Sequence, residues 1–282
     1  LLSSMTAPTP ASALMHAGFV NAGGILLTRF APLLVELEVM MAVTVVVGAA
    51  SAILGKIWKM VQPAFKRQLG CSTVGQMGFM MLQCGLGFFT AALAHLILHG
   101  FYKGYLFLGY GEAVERKTPH EKQATRDLPG LLVSGFWALV AGGIFVVLTG
   151  KGTHLDSGLV LTVVIVVAVL HASRHMLEGT QFPLWLRHLV LPVVFLGSTA
   201  VYALIYNGVS TLLADVPSAE APVEFSIFHG VLTLLFLALY FVTDLKLFKK
   251  FERLYVWILN AGQPHPATIV SAKEEYHAHE KT

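Results

Sequence analysis

The stretch Ala91-Ala92-Leu93-Ala94-His95-Leu96-Ile97-Leu98-His99-Gly100-Phe101-Tyr102-Lys103-Gly104-Tyr105-Leu106-Phe107-Leu108 is apolar along most of its length, yet three titratable groups recur in it at every fourth residue. That spacing predicts a helix with His95, His99 and Lys103 stacked on one face over ~12 Å. A charged side chain at the centre of a bilayer costs at least ~2.5–3.5 kcal/mol on insertion scales, so such groups face a protein interior or a water-filled pathway and tend to work there. The stripe therefore reads as a proton or ion path. A lone membrane histidine is as often a hydrogen-bonded packing residue, but three groups in register are harder to explain that way. A zinc site at the His95/His99 pair is a further reading; it lacks an adjacent third ligand, and Lys103 would repel a divalent cation.

The rest of the chain agrees with a membrane setting. Of 282 residues, 55% are hydrophobic and only 12% charged, and the mean hydropathy is +0.69, which excludes an ordinary soluble domain. The net charge of +3 is not a nucleic-acid signature, because the basic residues fall in short clusters between apolar runs. Cys71 and Cys84 lie in or beside one apolar stretch without metal-type spacing, so they read as core packers rather than a disulfide framework. The first residues, Leu1-Leu2-Ser3-Ser4-Met5, have neither a basic leader nor a cleavage site, and the expectation is a chain that begins partway through a longer protein.

A window of about 20 apolar residues per span marks candidates at 12–31, 35–56, 72–89, 90–112, 128–149, 157–176, 183–206 and 226–248. The third and fourth are nearly continuous; Gly85 and Gly87 suggest a tight turn between them, with one long kinked helix as the alternative. Every even-numbered exit is basic: Lys56, Lys59, Lys66 and Arg67 after the second, Arg116, Lys117, Lys122 and Arg126 after the fourth, Arg174 and Arg187 around the sixth, Lys246, Lys249, Lys250 and Arg253 after the eighth. The loop after the seventh carries Asp215, Glu220 and Glu224 instead. Positive-inside asymmetry then places the even exits and the C-terminus in the cytoplasm of a plasma (inner) membrane protein. The fold class is all-α and polytopic, with about eight spans over residues 1–259 and a polar cytoplasmic tail over 260–282.

Other residues admit two readings each. His16 lies about a turn or so into the helix that follows Pro8-Thr9-Pro10, and those prolines suit either a helix start or a membrane break that exposes backbone dipoles to an ion. Lys66 and Arg67 just before the third span serve either as positive anchors or as modulators of the neighbouring relay's charge. His171, Arg174, His175 and His229 read as interfacial anchors, and Glu178, Arg187 and His188 as a cytoplasmic docking surface. In water a histidine titrates near ~6.5 and a lysine near ~10.4, and burial disfavours the charged form of each, which would let a buried lysine exchange protons near neutrality.

Two segments carry a resemblance. Met5-Thr6-Ala7-Pro8-Thr9-Pro10-Ala11-Ser12-Ala13-Leu14-Met15-His16-Ala17-Gly18 resembles the broken-helix signature of the antiporter-like subunits of respiratory complex I and of multisubunit cation/proton antiporters. The blocks Phe65-Lys66-Arg67-Gln68-Leu69, Cys71-Ser72-Thr73-Val74-Gly75-Gln76-Met77-Gly78-Phe79 and His95 to Leu108 resemble the second-half core of the same family in order and spacing. Within it, His16-Ala17-Gly18-Phe19-Val20-Asn21-Ala22-Gly23-Gly24-Ile25-Leu26-Leu27 looks most like the membrane subunit of two-component inorganic-carbon accumulation complexes, the DabB type.

The resemblance implies an ion pathway through His16, Lys66, His95, His99 and Lys103, driven by H+ or Na+. It also implies a large peripheral zinc-bearing, carbonic-anhydrase-like subunit of the DabA type as partner, with no cofactor or metal in this chain. The departures are informative. Only residues 249–282 follow the last span, so no lateral helix of the complex I kind is expected. The 142–150 stretch, where the family usually carries a membrane lysine, is purely apolar, and Lys151 is the nearest candidate. Three function classes follow: a cation-coupled subunit of CO2 or bicarbonate uptake, a proton-pumping subunit of an NADH-quinone oxidoreductase or cation/proton antiporter, and a structural scaffold. No nucleophile, phosphate loop or haem motif is present, so no catalytic site of its own is expected.

Overall fold

The computed structural model describes residues 2–109, 128–150, 156–167, 184–216, 218–244 and 251–263. Lys151, His171, Arg174, His175, Glu178 and the tail from 264 lie outside them, as do the side chains of Arg187 and His188. Among the described residues the secondary structure is helical, with two isolated β-bridges and no strand.

The helices are α1 (Thr9–Ala17), α2 (Ala22–Arg29), α3 (Ala31–Val35), α4 (Glu38–Val61), α5 (Phe65–Gly85), α6 (Phe89–Leu108), α7 (Leu128–Thr149), α8 (Gly158–Val167), α9 (Leu184–Leu212), α10 (Ile227–Asp244) and α11 (Glu252–Ala261). Each of the eight anticipated spans contains helix. Among the described residues, three segments are both long and apolar enough to cross a membrane by themselves: Thr9–Arg29, Glu38–Val61 and Pro192–Leu212. At 1.5 Å per residue the 24 residues of α4 reach ~36 Å, more than the ~30 Å hydrocarbon core.

The first span is discontinuous, but the break is not at the prolines. Pro10 occupies the first turn of α1, where a missing N–H removes no helical bond. The interruption comes at Gly18, followed by a 3-10 turn over Phe19–Asn21 and then α2. The third span begins earlier than its apolar run, at Phe65, so Lys66 and Arg67 sit in the first turn of α5 rather than ahead of it. The two long helices flanking Gly87 are separate: Gly87 takes a φ of 85°, a left-handed conformation glycine adopts without steric cost.

Close packing of α4 on α5 depends on small residues. A Cβ at Gly55 would collide with the backbone of Gly75, and one at Gly48 would lie 2.8 Å from the Gly78 carbonyl oxygen. Because lipid offers no hydrophobic drive to bring helices together, this near backbone-to-backbone approach supplies the dispersion contacts instead. Polarity is inverted relative to a soluble protein. Large apolar side chains such as Val39, Phe101 and Leu204 face outward, while Ser12, His16, Thr73, Gln83, His99 and Lys103 are buried. An apolar exterior, with the polar side chains kept inside an otherwise apolar interior, is what a lipid solvent selects.

The turns leaving the odd-numbered spans meet at one end of the bundle. Ser157 ties them together: its hydroxyl donates to the Leu86 carbonyl at 2.7 Å and accepts the Val223 N–H at 3.1 Å. Phe88 pairs with Glu220 in an antiparallel bridge, and Ala221 N donates to the Gly87 carbonyl at 3.0 Å. At the opposite end, segments after the second and eighth spans meet. Gln62 Nε2 donates to the Gly262 carbonyl at 3.4 Å, and Arg67 donates to the Gln263 amide oxygen. Lys66 there donates to the Ala7 carbonyl, ahead of the first span. This sorting of ends is the parity that eight spans require. The helix α11, not anticipated from the sequence, packs against α4 at that second end.

Candidate functional site

His16 comes from α1, two residues before the break at Gly18, and its ring lies 5.0 Å from that of Phe107 on α6. The break is seated on α6 at a glycine: a Cβ at Gly100 would approach the Ala17 carbonyl oxygen to 3.0 Å. That carbonyl accepts the Asn21 side-chain amide at 2.7 Å, which supplies a partner where the helix is interrupted. With α1 held so close to α6, His16, His99 and Lys103 come within electrostatic reach of one another.

Lys103 is 1% exposed, and its ammonium donates to the Leu69 carbonyl on α5 at 2.9 Å. The Thr73 hydroxyl donates to the same oxygen at 3.0 Å. A buried ammonium bonded to a neutral carbonyl rather than to a carboxylate is held by dipoles alone. His99 is 5% exposed and His16 fully buried, and both ring nitrogens of each lack a hydrogen-bond partner among the described residues. Buried polar atoms are normally paired, and the four ring nitrogens of His16 and His99 depart from that rule. His95 is less buried; its ring lies 6.1 Å from that of His99 and 5.4 Å from that of Phe79.

The structure thus brings His16, His95, His99 and Lys103 into one column. Lys66 lies at the end of the bundle, where it donates to the Ala7 carbonyl, and it too is within electrostatic reach of His16. Among the described residues no three His, Cys, Asp or Glu side chains form a set able to hold a metal ion, and Cys71 and Cys84 are free and buried. His229 proves to be a helix-start residue: its Nδ1 accepts the Ser226 N–H at 3.1 Å, closing the first turn of α10. Sequence reasoning missed the Leu69 carbonyl and Thr73, since a backbone acceptor leaves no signature in composition. It also missed a second polar set at the turn end. Gln83, 1% exposed, lies beside the Tyr202 hydroxyl; Tyr202 and Tyr206 stack with ring centroids 6.4 Å apart; the Tyr206 hydroxyl donates to the Glu220 carboxylate.

Comparison with known proteins agrees with this architecture. Residues 1–182 match the family model described as NADH:quinone oxidoreductase/Mrp antiporter, TM. The "Probable inorganic carbon transporter subunit DabB" of Bacillus subtilis (strain 168) is 45% identical over 163 residues, 57% of this chain and 32% of that protein. The "Probable inorganic carbon transporter subunit DabB2" of Halothiobacillus neapolitanus (strain ATCC 23641 / c2) is 33% identical over 223 residues, 78% of this chain and 40% of that protein. The chloroplastic "NAD(P)H-quinone oxidoreductase subunit 5" of Saccharum officinarum is 42% identical over 120 residues, 42% of this chain and 16% of that protein. The matched region is a third or so of the length of the DabB relatives, 32% and 40% in these two cases. Its helical membrane architecture and its family match together place the chain in the NADH:quinone oxidoreductase/Mrp antiporter transmembrane family.

Proposed function

We propose that this chain is a cation-translocating membrane subunit, moving H+ or Na+, of an energy-coupled complex that takes up inorganic carbon as CO2 or bicarbonate. Its partner is a large peripheral, zinc-bearing, carbonic-anhydrase-like subunit of the DabA type, and it sits in the plasma (inner) membrane with the C-terminus in the cytoplasm. The observation that carries the translocation reading is the buried cluster of Lys103 with the unpaired rings of His16 and His99. A structural scaffold would leave no reason to bury four unpaired ring nitrogens beside a cation, because each unsatisfied polar group costs ~1–3 kcal/mol. Likeness to the DabB relatives supports the carbon-uptake assignment.

In operation, Lys103 accepts a proton, passes it towards His99 and His95 along α6, and is reset from His16 across the α1–α6 contact. Water between the rings bridges separations too long for direct transfer. The chain supplies the coupled flux and the partner supplies the chemistry on carbon.

The test is co-expression of the full gene product with a DabA-type subunit in a host lacking carbonic anhydrase. Growth at ambient CO2 is expected only with both proteins, and is expected to vanish when proton and sodium gradients are both collapsed. Rescue by the membrane subunit alone, or rescue indifferent to both gradients, overturns the reading. The likeness to a quinone oxidoreductase subunit favours a second reading, a proton-pumping subunit of such an enzyme. Co-purification with quinone-reductase subunits, without carbon rescue, would select it.

A further inference from the structure

We propose that Gln83, Tyr202, Tyr206 and Glu220 form a proton conduit joining the buried histidine–lysine column to the loop end of the bundle, with Phe79 as the apolar partition between the two. This rests on the translocation reading above. The column on α6 stops at His95, whose ring faces Phe79 at 5.4 Å. One turn further along α5, on the same face, stands Gln83. Its amide meets the Tyr202 hydroxyl, while its oxygen is buried without a partner among the described residues. Tyr202 and Tyr206, four residues apart on α9, stack their rings, and the Tyr206 hydroxyl reaches Glu220.

Glu220 is partly exposed and is held over the helix ends by its bridge to Phe88 and by the Ala221–Gly87 hydrogen bond. Amide, hydroxyl and carboxylate groups thus run from the buried core to the surface. A phenol both donates and accepts, so with a bound water it can relay a proton without leaving its place. A sodium ion would need several oxygens around it at once, and the stacked, apolar-walled tyrosines offer one each. Simple pinning of the loop accounts for the Tyr206–Glu220 bond but not for the unpaired amide oxygen of Gln83. Phe79 packs with the apolar cluster of Leu82, Phe145 and Tyr206, where a ring that turns aside would connect the two polar sets and one that stays would separate them.

The experiment uses the full gene product with its partner subunit, reconstituted in oriented vesicles. Gradient-driven uptake, passive proton leak by a pH-sensitive dye, and the amount of assembled complex are measured together. Tyr206→Phe, Tyr202→Phe and Glu220→Gln should assemble normally and lower uptake roughly tenfold or more, the scale of losing one proton-transfer group. Phe79→Ala should raise the leak several-fold, and adding Tyr206→Phe to it should return the leak towards the native level. Native uptake and leak in the assembled Tyr206→Phe and Glu220→Gln proteins, with Lys103→Met inactive, would sink the conduit alone. Native uptake in Lys103→Met would sink the translocation reading beneath it. Should Tyr206→Phe fail to assemble, Tyr202→Phe and the leak through Phe79→Ala decide: native values in both overturn the conduit. A flux carried by sodium with no proton movement overturns it as well.

Discussion

Lys103 of α6 donates its ammonium proton to the main-chain carbonyl of Leu69 on α5, 2.9 Å away, and so joins two neighbouring helices through a neutral acceptor. Because the acceptor carries no charge, removing the ammonium strands no carboxylate. Lys103→Met should fold as well as the native protein, or better by as much as about 1 kcal/mol, since a buried charge is costly. Gradient-driven uptake should nevertheless be lost. Uptake at the native rate with normal assembly would make the lysine structural; if Lys103→Met does not assemble, Lys103→Arg, whose head group keeps its proton, is the substitute.

His99→Ala should weaken transport less than Lys103→Met does. Both ring nitrogens of His99 lack protein partners among the described residues, so a water occupying the space left by the ring can carry part of the relay. Rates measured side by side at matched expression test the order. A deeper loss in His99→Ala than in Lys103→Met would reverse the roles assigned to the two groups.

Topology follows from the way the turns sort. Ser157 links Leu86 and Val223 at one end, while Gln62 meets Gly262 at the other. With the basic exits on the cytoplasmic side, a reporter inserted beside Pro217 should read from outside the cytoplasm and one fused after Thr282 from within. Matching signals from both sites would refute a single crossing, by α10, between Pro217 and the tail.

Gly55→Leu should dismantle the contact of α4 with α5. Its Cβ alone would run into the Gly75 backbone, which cannot yield as a side-chain end can, and overpacking costs ~1–3 kcal/mol or more. Lower yield and a lower melting temperature in detergent are expected. Gly23→Leu, at a glycine with open space around it, is the matched control and should leave both unchanged.

Local pattern was enough to place the spans, the discontinuous start and the stripe on α6. Hydrophobic run length is a property of contiguous residues, and an every-fourth spacing puts His95, His99 and Lys103 on one face of any helix that contains them. The precise site of a break is less legible: Pro8 and Pro10 drew attention, but proline at a helix start is harmless and the chain yields at Gly18 instead. The amphipathic α11 escaped notice because it is too short and too polar to register as a span. What only the tertiary structure decided is who meets whom. His16 reaches the stripe because Gly100 lets the broken helix approach α6, Lys103 finds a carbonyl that composition cannot encode, and Gln83 meets Tyr202 across more than a hundred residues of chain. Helix formation is a short-range equilibrium within one segment, whereas these pairings depend on backbone separations set by packing several helices at once, which no single stretch of sequence contains.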